Sequence, residues 1–547
     1  MSSAFSSRRA RILAAAAGTA TLAVVLAGCA GGGGGSSDGD LLVVGTTDKL
    51  TTLDPAGSYD NGSYNVQTQV FPFLVNTAYG SPDVEPDIST SAEFTAPSEY
   101  TVKLKKDLKF ANGNALTSSD VKFSFERIIK INDPNGPSSL LANLDSISTP
   151  DDTTVVFKLK SADQTFPQVL SSPAGPIVDE DTFSADKVTP DADVVKGEGF
   201  AGQYRIEKFS LNKQISFLPN KDYDGLLGKP KNAGILLNYY AQSSNMKLEV
   251  QKGEIDAATR SLTPTDVADL RKDSKLKVWD GPGGESRYIT FNFRTQPFGT
   301  ETPEADPAKA LAVRQAFAAS VDREALAKDV YKDTYTPAYS AVPEGLTGAS
   351  TPFKDLYGKD GKPDVTQAAK FLSDAGVQAP VQIDLQYNPD HYGESSADEY
   401  AAIKSQLEET KLFTVNLKST EWVTYSKERV NSYPVFQMGW FPDFSDADNY
   451  LSVFFLPGKD ADGNPVGGGF LQNGYENDAI TKAIQGEQTE QDKAKRTALI
   501  EEAQKIEAED ISILPLLTGK QVVVTSKDIK GVTLDASFKF RFAPLEK

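Results

Sequence analysis

The sequence predicts an α/β fold, because strand patterns and helix patterns alternate along the chain. The clearest stretch is 365–418. Apolar and polar residues alternate over 381–387 and again over 413–417, which is typical of half-buried strands. Between them, apolar residues at helical spacing predict a helix over about 396–410. Strand, helix and strand in this order predict a parallel pair of strands with a right-handed crossover.

Three further strands are predicted in the first part of the chain. The run LLVVG at 41–45 is apolar, as expected of a short buried strand. Residues 99–110 and 154–160 alternate between apolar and polar side chains, with a turn expected near Asp107. The segment 46–61 carries turn signals and is expected to be a loop.

Residues that favour helix ends precede several apolar segments. Thr117 and Asp120 have the spacing of a capping box, in which two side chains satisfy amide groups at the start of a helix. Asp364 and Gln367 resemble a second capping box. Asp306 precedes a proline that suits the first position of a helix. These signals predict three helix starts between the strands.

The N-terminal 28 residues are typical of a secretory signal peptide. Arg8, Arg9 and Arg11 give a positive start, and residues 12–26 are almost entirely apolar. This apolar run is too short to cross a bilayer comfortably, since about 20 apolar residues are needed. The signal peptide is therefore predicted to span 1–28, and an uncleaved N-terminal anchor helix is the alternative.

The segment Leu26-Ala27-Gly28-Cys29 resembles a bacterial lipobox, in which the cysteine becomes the first mature residue and carries a lipid. Cys29 is the only cysteine, so we expect it to be the lipid-attachment residue, with palmitate among its acyl groups. More than one acyl chain is needed for lasting attachment. Residues 29–40 then form a Gly/Ser tether. These features predict a lipoprotein anchored outside a bacterial cell membrane.

The acidic composition limits the partners of the chain. Its formal net charge is −19, and loss of residues 1–28 would remove three arginines and no acidic residue. Such a surface disfavours nucleic acid and anionic lipid headgroups as partners. The glycine run 31–35 lacks the strand before it and the Gly-Lys-Ser/Thr step after it that a phosphate-binding loop needs. The chain itself is therefore not expected to be an ATPase.

Neither a metal site nor an enzyme active site is predicted. His391 is the only histidine, whereas zinc and nickel sites favour several histidine or cysteine ligands. The calcium-like spacing of Asp460, Asp462 and Asn464 fails, because the required glycine and glutamate are absent from the later positions. A triad would have to join His391 with Ser395, and capping of the next helix explains Ser395 more simply. Acidic residues are too numerous to single out a glycosidase pair.

Several sequence blocks together resemble one protein family. The family signature is a strand, then a Phe-x-x-Gly turn, then Leu-Thr-x-x-Asp-Val at a helix start. Residues 100–128 match it with YTVKLKKDLKFANGNALTSSDVKFSFERI. LDPA at 53–56 and EPDIS at 85–89 precede it, and other blocks follow in order, among them YITFN at 288–292 and GWFPDFSDADNYL at 439–451. The chain therefore resembles the family 5 extracellular solute-binding proteins, which are peptide and nickel binders of ABC importers.

This resemblance implies a two-lobed clamshell like that of periplasmic binding proteins, of type II and the large cluster C form. Lobe I would comprise 41–75, 199–287 and 520–547, with an extra subdomain at 76–198. Lobe II would comprise 288–519. The two lobes are expected to close over the ligand by a hinge motion.

The resemblance also implies a role for one short segment of lobe II. In peptide-binding members, Gly-Trp-x-x-Asp places its aspartate in the cleft as counter-ion to the peptide α-ammonium group, and here that residue is Asp443. A cation enclosed between lobes needs such a carboxylate, because an unpaired buried charge is costly. Gly439 would offer backbone groups to the peptide, and Trp440 and Phe441 would supply aromatic wall. A turn or capping role for Asp443 beside Pro442 is the alternative.

Two other groups of residues are candidates for ligand binding. Trp422 and Tyr425 follow the second strand of the strand–helix–strand unit, where α/β sheets place ligand crevices, although core packing would explain either residue equally well. Tyr59, Asn61 and Tyr64 belong to a polar, aromatic loop after the first strand, for which a simple surface turn is the alternative.

The function implied by the resemblance is capture of di- or oligopeptides outside the cell and their delivery to a membrane permease whose ATPase subunits are separate chains. The protein is expected to act as a monomer, without catalysis, cofactor or metal. Two alternatives stay open: the same role for a sugar, an opine or another amine, and an envelope hydrolase on the same fold.

Overall fold

The computed structural model describes four stretches of the chain: 41–260, 262–459, 464–534 and 539–547. The predicted signal peptide, Cys29 and the tether up to residue 40 lie outside these residues, as do Asp460 and Asp462. Strands and helices alternate throughout the described chain, so the predicted α/β class is confirmed.

Lobe I is built on a mixed sheet of seven strands. Leu42–Thr46 lies in the middle and pairs parallel with both of its neighbours, while the other pairs are antiparallel. The strands come from distant parts of the sequence, so this lobe is assembled from interleaved segments. Their order across the sheet is Leu276–Gly281, Gln521–Ser526, Ala257–Thr259, Leu42–Thr46, Ile235–Tyr239, Gln214–Pro219 and Tyr204–Ser210.

Lobe II is built on a six-stranded mixed sheet. Val381–Tyr387 and Phe413–Ser419 pair parallel around the helix Ser396–Glu409, which confirms the strand–helix–strand unit. Val435–Trp440 occupies the position next to this unit and is buried almost along its whole length. The strand order is Tyr335–Pro337, Ile513–Gly519, Ser286–Phe291, Val435–Trp440, Val381–Tyr387 and Phe413–Ser419.

A four-stranded antiparallel sheet forms the subdomain beside lobe I. It contains the strand patterns expected near 99–110 and 154–160, and the chain turns at Asp107, which has φ of +59°. Phe125 of the helix packs edge-on against Phe157 of the sheet, with ring centroids 5.2 Å apart. The strand order is Ser89–Ala96, Glu99–Leu104, Thr154–Leu159 and Leu144–Asp151. Two short ladders complete the described strands: Val75–Thr77 with Val84–Pro86, and Gly458–Lys459 with Pro465–Val466.

The helices pack around these sheets. Those of lobe I and the subdomain are Asn61–Val70, Ser118–Ile131, Phe166–Val169, Asp191–Gly197, Ser243–Lys252 and Pro264–Leu270. Those of lobe II are Pro307–Ala318, Arg323–Ala325, Pro352–Leu356, Val365–Asp374, Ser396–Glu409, Trp422–Ser432, Asp448–Phe455, Asp478–Thr489 and Lys493–Asp510. Short 3₁₀ turns occur at Pro55–Gly57, Ser138–Leu141 and Gly469–Leu471, and a π turn occurs at Leu326–Val330.

Most of the predicted helix starts are confirmed by their hydrogen bonds. Thr117 and Asp120 form a complete capping box before Ser118–Ile131. Asp306 accepts hydrogen bonds from the first amides of Pro307–Ala318, with proline at the first helical position.

Two capping expectations are wrong. Asp364 does cap its helix, but the side chain of Gln367 accepts from Gly358 N (2.7 Å) and donates to Leu356 O (3.0 Å) instead of closing the box. Ser395 already has helical backbone angles and makes no capping hydrogen bond with its side chain. Tertiary neighbours, rather than local spacing, decide what these polar side chains bind.

Two chain segments connect the lobes side by side. Residues 282–285 pass from the lobe I sheet to the lobe II sheet, and Lys520 passes back. Gly519 N donates to Glu285 O between them (2.8 Å). A Cβ at Gly283 would lie 2.0 Å from Gly519 O, so this close approach requires glycine. The thin double connection suits a hinge between two rigid bodies.

A buried ion pair ties the beginning of lobe I to the subdomain helix. The side chains of Asp54 and Arg127 are 0% and 2% exposed. Arg127 donates to both carboxylate oxygens, from Nη1 at 2.7 Å and also from Nη2. The amides of Ala56 and Thr189 donate to the same carboxylate at 2.9 and 2.6 Å. Two of the sequence blocks, LDPA and the signature helix, therefore meet in one charged contact.

Arg127→Met is expected to lower the free energy of unfolding by about 3–5 kcal/mol, because it leaves the Asp54 carboxylate buried without its counter-charge. Equilibrium unfolding in urea, followed by circular dichroism, measures this difference.

Lys122→Met is the matched control on the same helix, since Lys122 makes only an exposed pair with Glu126 at 3.8 Å. Its effect should stay below about 1 kcal/mol. Similar losses for both variants would show that the buried pair has no special role.

Candidate functional site

A cavity of about 340 Å³ lies between the two lobes. Lobe I and its subdomain contribute one side and lobe II the other, so the cavity exists only where the lobes face each other. Its size is within the range of small-molecule sites. The residues that line it are Tyr59, Asp60, Asn61, Tyr64, Thr77, Gln168, Ser171, Pro173, His391, Tyr392, Trp422, Gly439, Trp440, Phe441, Pro442, Asp443, Phe444, Ser445, Phe470 and Lys539.

Asp443 lies in this cavity just after the strand Val435–Trp440 leaves the lobe II sheet. Buried Asn449 holds it in place: Asn449 Oδ1 accepts from Asp443 N (2.8 Å), and Asn449 Nδ2 donates to Asp443 Oδ2 (3.2 Å). Asn449 Oδ1 also accepts from Trp440 Nε1 (3.1 Å). Sequence reasoning missed Asn449, whose only signal was its place in the block that contains Asp443.

Tyr59 of lobe I donates its hydroxyl to Asp443 Oδ1 across the cavity. Burial raises the pKa of Asp443, while the hydrogen bonds from Tyr59 and Asn449 act in the opposite direction. Burial and the nearby Asp443 carboxylate raise the pKa of the Tyr59 phenol, so this hydroxyl remains a donor. Among the described residues, the Asp443 carboxylate thus accepts hydrogen bonds from neutral donors only, one from each lobe.

The residues around Asp443 differ in what they offer the cavity. Phe441 is 37% exposed and Trp440 is half-buried, so both present aromatic surface. Gly439 is buried, and its carbonyl accepts from the Tyr392 hydroxyl at 3.4 Å. A Cβ at Gly439 would lie 2.8 Å from the Tyr392 ring, so the close packing of that ring requires glycine.

The lobe I candidates are brought into the same cavity. The expectation of a loop is wrong for Asn61 and Tyr64, which belong to the helix Asn61–Val70; Asp60 caps that helix by accepting from Ser63 N (2.8 Å). The helix directs its first turn at the cavity, where Asn61 and Tyr64 join Tyr59.

Trp422 and Tyr425 are separated by the structure. Trp422 begins the helix Trp422–Ser432 and lines the cavity. Tyr425 lies one turn later, fully buried in the lobe II core, and donates its hydroxyl to Gln437 O (2.7 Å). Tyr425 therefore packs in the core and does not line the cavity.

Several residues of the wall were not predicted as ligand-binding residues, among them His391 and Lys539. The sequence suggests His391 only as a metal ligand or triad member, yet it lines the cavity. Lys539 is buried, lines the cavity, and donates to Ser171 O and Oγ at 3.2 Å each. Nothing in the local sequence around Lys539 indicated this placement, because the C-terminal segment reaches the cavity only through the fold.

Metal binding and membrane crossing find no support in the described residues. Among them, no group of three or more histidine, cysteine, aspartate or glutamate side chains is arranged to hold a metal ion. In the same part of the chain, no helix combines the length and apolar character needed to span a bilayer.

The family model for bacterial extracellular solute-binding proteins, family 5 (middle part), matches residues 83–462. The chain belongs to this family. The blocks that resemble family 5 at 100–128 and 439–451 lie inside the matched region.

Two similar proteins match this chain over nearly its whole length. A probable D,D-dipeptide-binding periplasmic protein of Escherichia coli is 26% identical, over 90% of this chain and 91% of that protein. An oligopeptide-binding protein of Bacillus subtilis is 24% identical, over 90% of each chain.

A solved structure confirms the two-lobed fold. HbpA2 of Haemophilus parasuis superposes with a TM-score of 0.78 at 20% identity, covering 93% of this chain and 99% of that one. The family 5 clamshell expected from the sequence is therefore the fold of this protein.

His391 is expected to titrate below the usual histidine value near 6.5, because burial lowers its pKa, although nearby Asp390 acts in the opposite direction. Since the unfolded chain binds the proton more readily, the contribution of His391 to stability should decrease as pH falls below about 6.5. His391 is the only histidine, so NMR can follow the chemical shift of its imidazole against pH without resonance assignment and give the midpoint of its titration.

This measurement requires protein without a histidine tag, and unfolding in urea supplies the reference titration. A midpoint in the folded protein at or above the unfolded value would contradict the partial desolvation of the His391 imidazole in the cavity.

Proposed function

We propose that this family 5 protein captures short peptides with a free N-terminus and delivers them to an ABC permease whose ATPase subunits are separate chains. The observation that carries the proposal is the Asp443 carboxylate in the cavity between the lobes. The similar proteins of Escherichia coli and Bacillus subtilis are named for binding dipeptides and oligopeptides, which supports the same ligand class here.

The chemistry of the site favours an ammonium group beside Asp443. Burial disfavours the charged carboxylate, and its present donors, Tyr59 and Asn449, are neutral. A peptide α-ammonium group carries a full positive charge and several N–H donors, so it compensates the carboxylate better than a phenol does. In this proposal the ligand replaces or shares the contact that Tyr59 makes.

The remaining wall would position the peptide without chemical change. Trp440, Phe441 and Trp422 would contact apolar parts of the ligand from lobe II, and Asn61 and Tyr64 would contact it from lobe I. These side chains offer no activated nucleophile, which supports binding without catalysis. Tyr425, in contrast, would act only by supporting Trp422 from the core.

Closure of the lobes would couple binding to transport. We propose lobe I at 41–75, 199–287 and 520–547, its subdomain at 76–198, and lobe II at 288–519. The paired connections at 282–285 and at Lys520 support a division close to these bounds, because they allow the lobes to rotate with their cores intact. Ser286 and Arg287 already belong to the lobe II strand Ser286–Phe291. Each chain contains a complete cavity, so a monomer suffices for function.

The proposal places this protein at the outer face of the cell membrane. Residues 1–28 would be removed as a signal peptide, and Cys29 would carry the lipid, including palmitate. The segment 29–40 would then act as a flexible tether that lets the lobes reach the permease.

Asp443→Asn is expected to weaken binding of a tripeptide with a free N-terminus by about 10- to 100-fold, since a hydrogen bond to a charged group is worth about 1.5–3 kcal/mol. Binding of the N-acetylated tripeptide, already weak for the wild type, should change little. Isothermal titration calorimetry with both peptides measures the difference.

Asp384→Asn is a matched control, because Asp384 is exposed on a lobe II strand and outside the cavity. If Asp443→Asn weakened both peptides equally, Asp443 would not be the partner of the ammonium group. If a sugar or another non-peptide solute bound and no peptide did, the peptide ligand itself would be wrong.

Cys29→Ala is expected to move the protein from the membrane fraction to the soluble fraction in a bacterial host that processes lipoproteins. Fractionation and intact mass measure this, with a lipidated mature chain beginning at Cys29 for the wild type. Ser37→Ala in the tether is the control and should remain at the membrane. A Cys29→Ala variant that stayed there would favour an uncleaved anchor helix.

A further inference from the structure

The cavity wall is far richer in aromatic rings than the chain as a whole. Eight of the twenty lining residues that the structure describes are phenylalanine, tryptophan or tyrosine, compared with 10% of the sequence. Two of the three tryptophans and the only histidine also lie there. A peptide backbone alone needs hydrogen-bond partners, so this excess of rings indicates that the cavity also recognises a side chain.

The rings on one side form an ordered stack. The imidazole of His391 lies flat on the indole of Trp422, with centroids 3.9 Å apart and planes inclined by 7°. Trp422 packs in turn against buried Tyr425, at 6.0 Å and 23°. A stack that begins in the core and ends at an exposed ring holds that ring in a fixed orientation.

Tyr392 stands beside this stack and does not cover its end. Its ring centroid is 4.6 Å from His391 and 5.6 Å from Trp422, with interplanar angles of 74° and 77°. Given the 3.9 Å between His391 and Trp422, these distances form a triangle with nearly a right angle at His391. Tyr392 therefore leaves open the imidazole face that points away from Trp422.

The backbone under His391 is fixed as well. His391 N donates to Asn388 Oδ1 (2.6 Å), and Asn388 Nδ2 donates to Asp390 Oδ1 (2.8 Å). Trp422 N donates to the same Asp390 oxygen (3.1 Å), so the loop and the helix start are held together. The imidazole is thus positioned before any ligand arrives, which lowers the entropic cost of stacking on it.

A second group of rings belongs to the same wall of lobe II. Trp440 packs against Phe470 with centroids 5.4 Å apart, and Phe470 remains 41% exposed. Phe441, next to Trp440, is 37% exposed. Exposed phenylalanine rings in the cavity wall leave apolar surface in contact with water, which a ligand would cover.

We propose that the imidazole face of His391, supported by Trp422, together with Phe441 and Phe470, forms a subsite for an aromatic side chain of the bound peptide. This inference rests on the proposed peptide function and narrows it to peptides that carry phenylalanine, tyrosine or tryptophan. The subsite takes the ring by stacking and burial, while Asp443 takes the ammonium group.

The test uses the mature wild-type protein and four tripeptides with free N-termini: trialanine, and trialanine with phenylalanine at the first, second or third position. The best phenylalanine peptide should bind at least about 10-fold more tightly than trialanine, as burial of one such ring predicts. Replacing its phenylalanine by cyclohexylalanine should lose part of this gain, because a puckered ring stacks poorly.

Variants of the exposed ring then locate the subsite. His391→Ala should reduce the phenylalanine preference, which is the ratio of the phenylalanine-peptide and trialanine affinities measured on the same variant, to below about 3-fold. His391→Phe should keep this ratio because it keeps a flat ring. Val423→Ala is the matched control, since Val423 is 73% exposed next to Trp422 and does not line the cavity. Melting temperatures check that each variant is folded, and Phe470→Ala tests the second group of rings independently.

The outcomes separate the two proposals. If no tripeptide binds the wild type, the peptide function is overturned, and this inference falls with it. If all four tripeptides bind with equal affinity, peptide capture stands and the aromatic subsite is overturned. If the phenylalanine preference survives both His391→Ala and Phe470→Ala, the ring is bound elsewhere and the assignment of the subsite is wrong.

Discussion

The enclosure of the Asp443 carboxylate between two lobes is the constraint on which the site depends. A carboxylate that loses water must gain donors or a cation, and here Asn449 from its own lobe and Tyr59 from the opposite lobe supply neutral hydrogen bonds. Burial raises the pKa of Asp443, and the hydrogen bonds from these neutral donors offset that rise only in part. In the proposed function, a ligand with its own positive charge would complete this compensation.

The architecture allows the two lobes, and with them the surroundings of Asp443, to rearrange around a ligand. Each lobe has its own sheet and apolar core, and the covalent connection between them is only 282–285 and Lys520. Contacts between the lobes outside the connection include Gln164 N donating to Gln488 O (2.7 Å) and Phe444 packing on the subdomain core. A rotation of the lobes therefore changes the cavity while both cores stay packed.

Local patterns predicted the elements well, and predicted the partners of side chains less well. Alternation at 381–387 and the Thr117 capping box depend on neighbours within a few residues, so the sequence alone carries that information. Gln367 and Tyr425 show the limit of local patterns. The spacing of Gln367 suits a capping box and the position of Tyr425 suits a ligand crevice, but contacts outside these local patterns give both residues other roles. Gln367 binds the preceding loop, and Tyr425 is drawn into the core of lobe II.

The sequence by itself determined the α/β class, the acidic character and, through ordered blocks, the family. It also singled out Asp443 as a candidate ligand-binding residue. Only the tertiary structure decided which side chains share the cavity. Tyr59, His391 and Lys539 lie 332 and 148 positions apart along the chain, and no periodicity relates them, because their meeting depends on how two lobes face each other. Stacking of His391 on Trp422 likewise follows from a loop and a helix start that hydrogen bonds bring together.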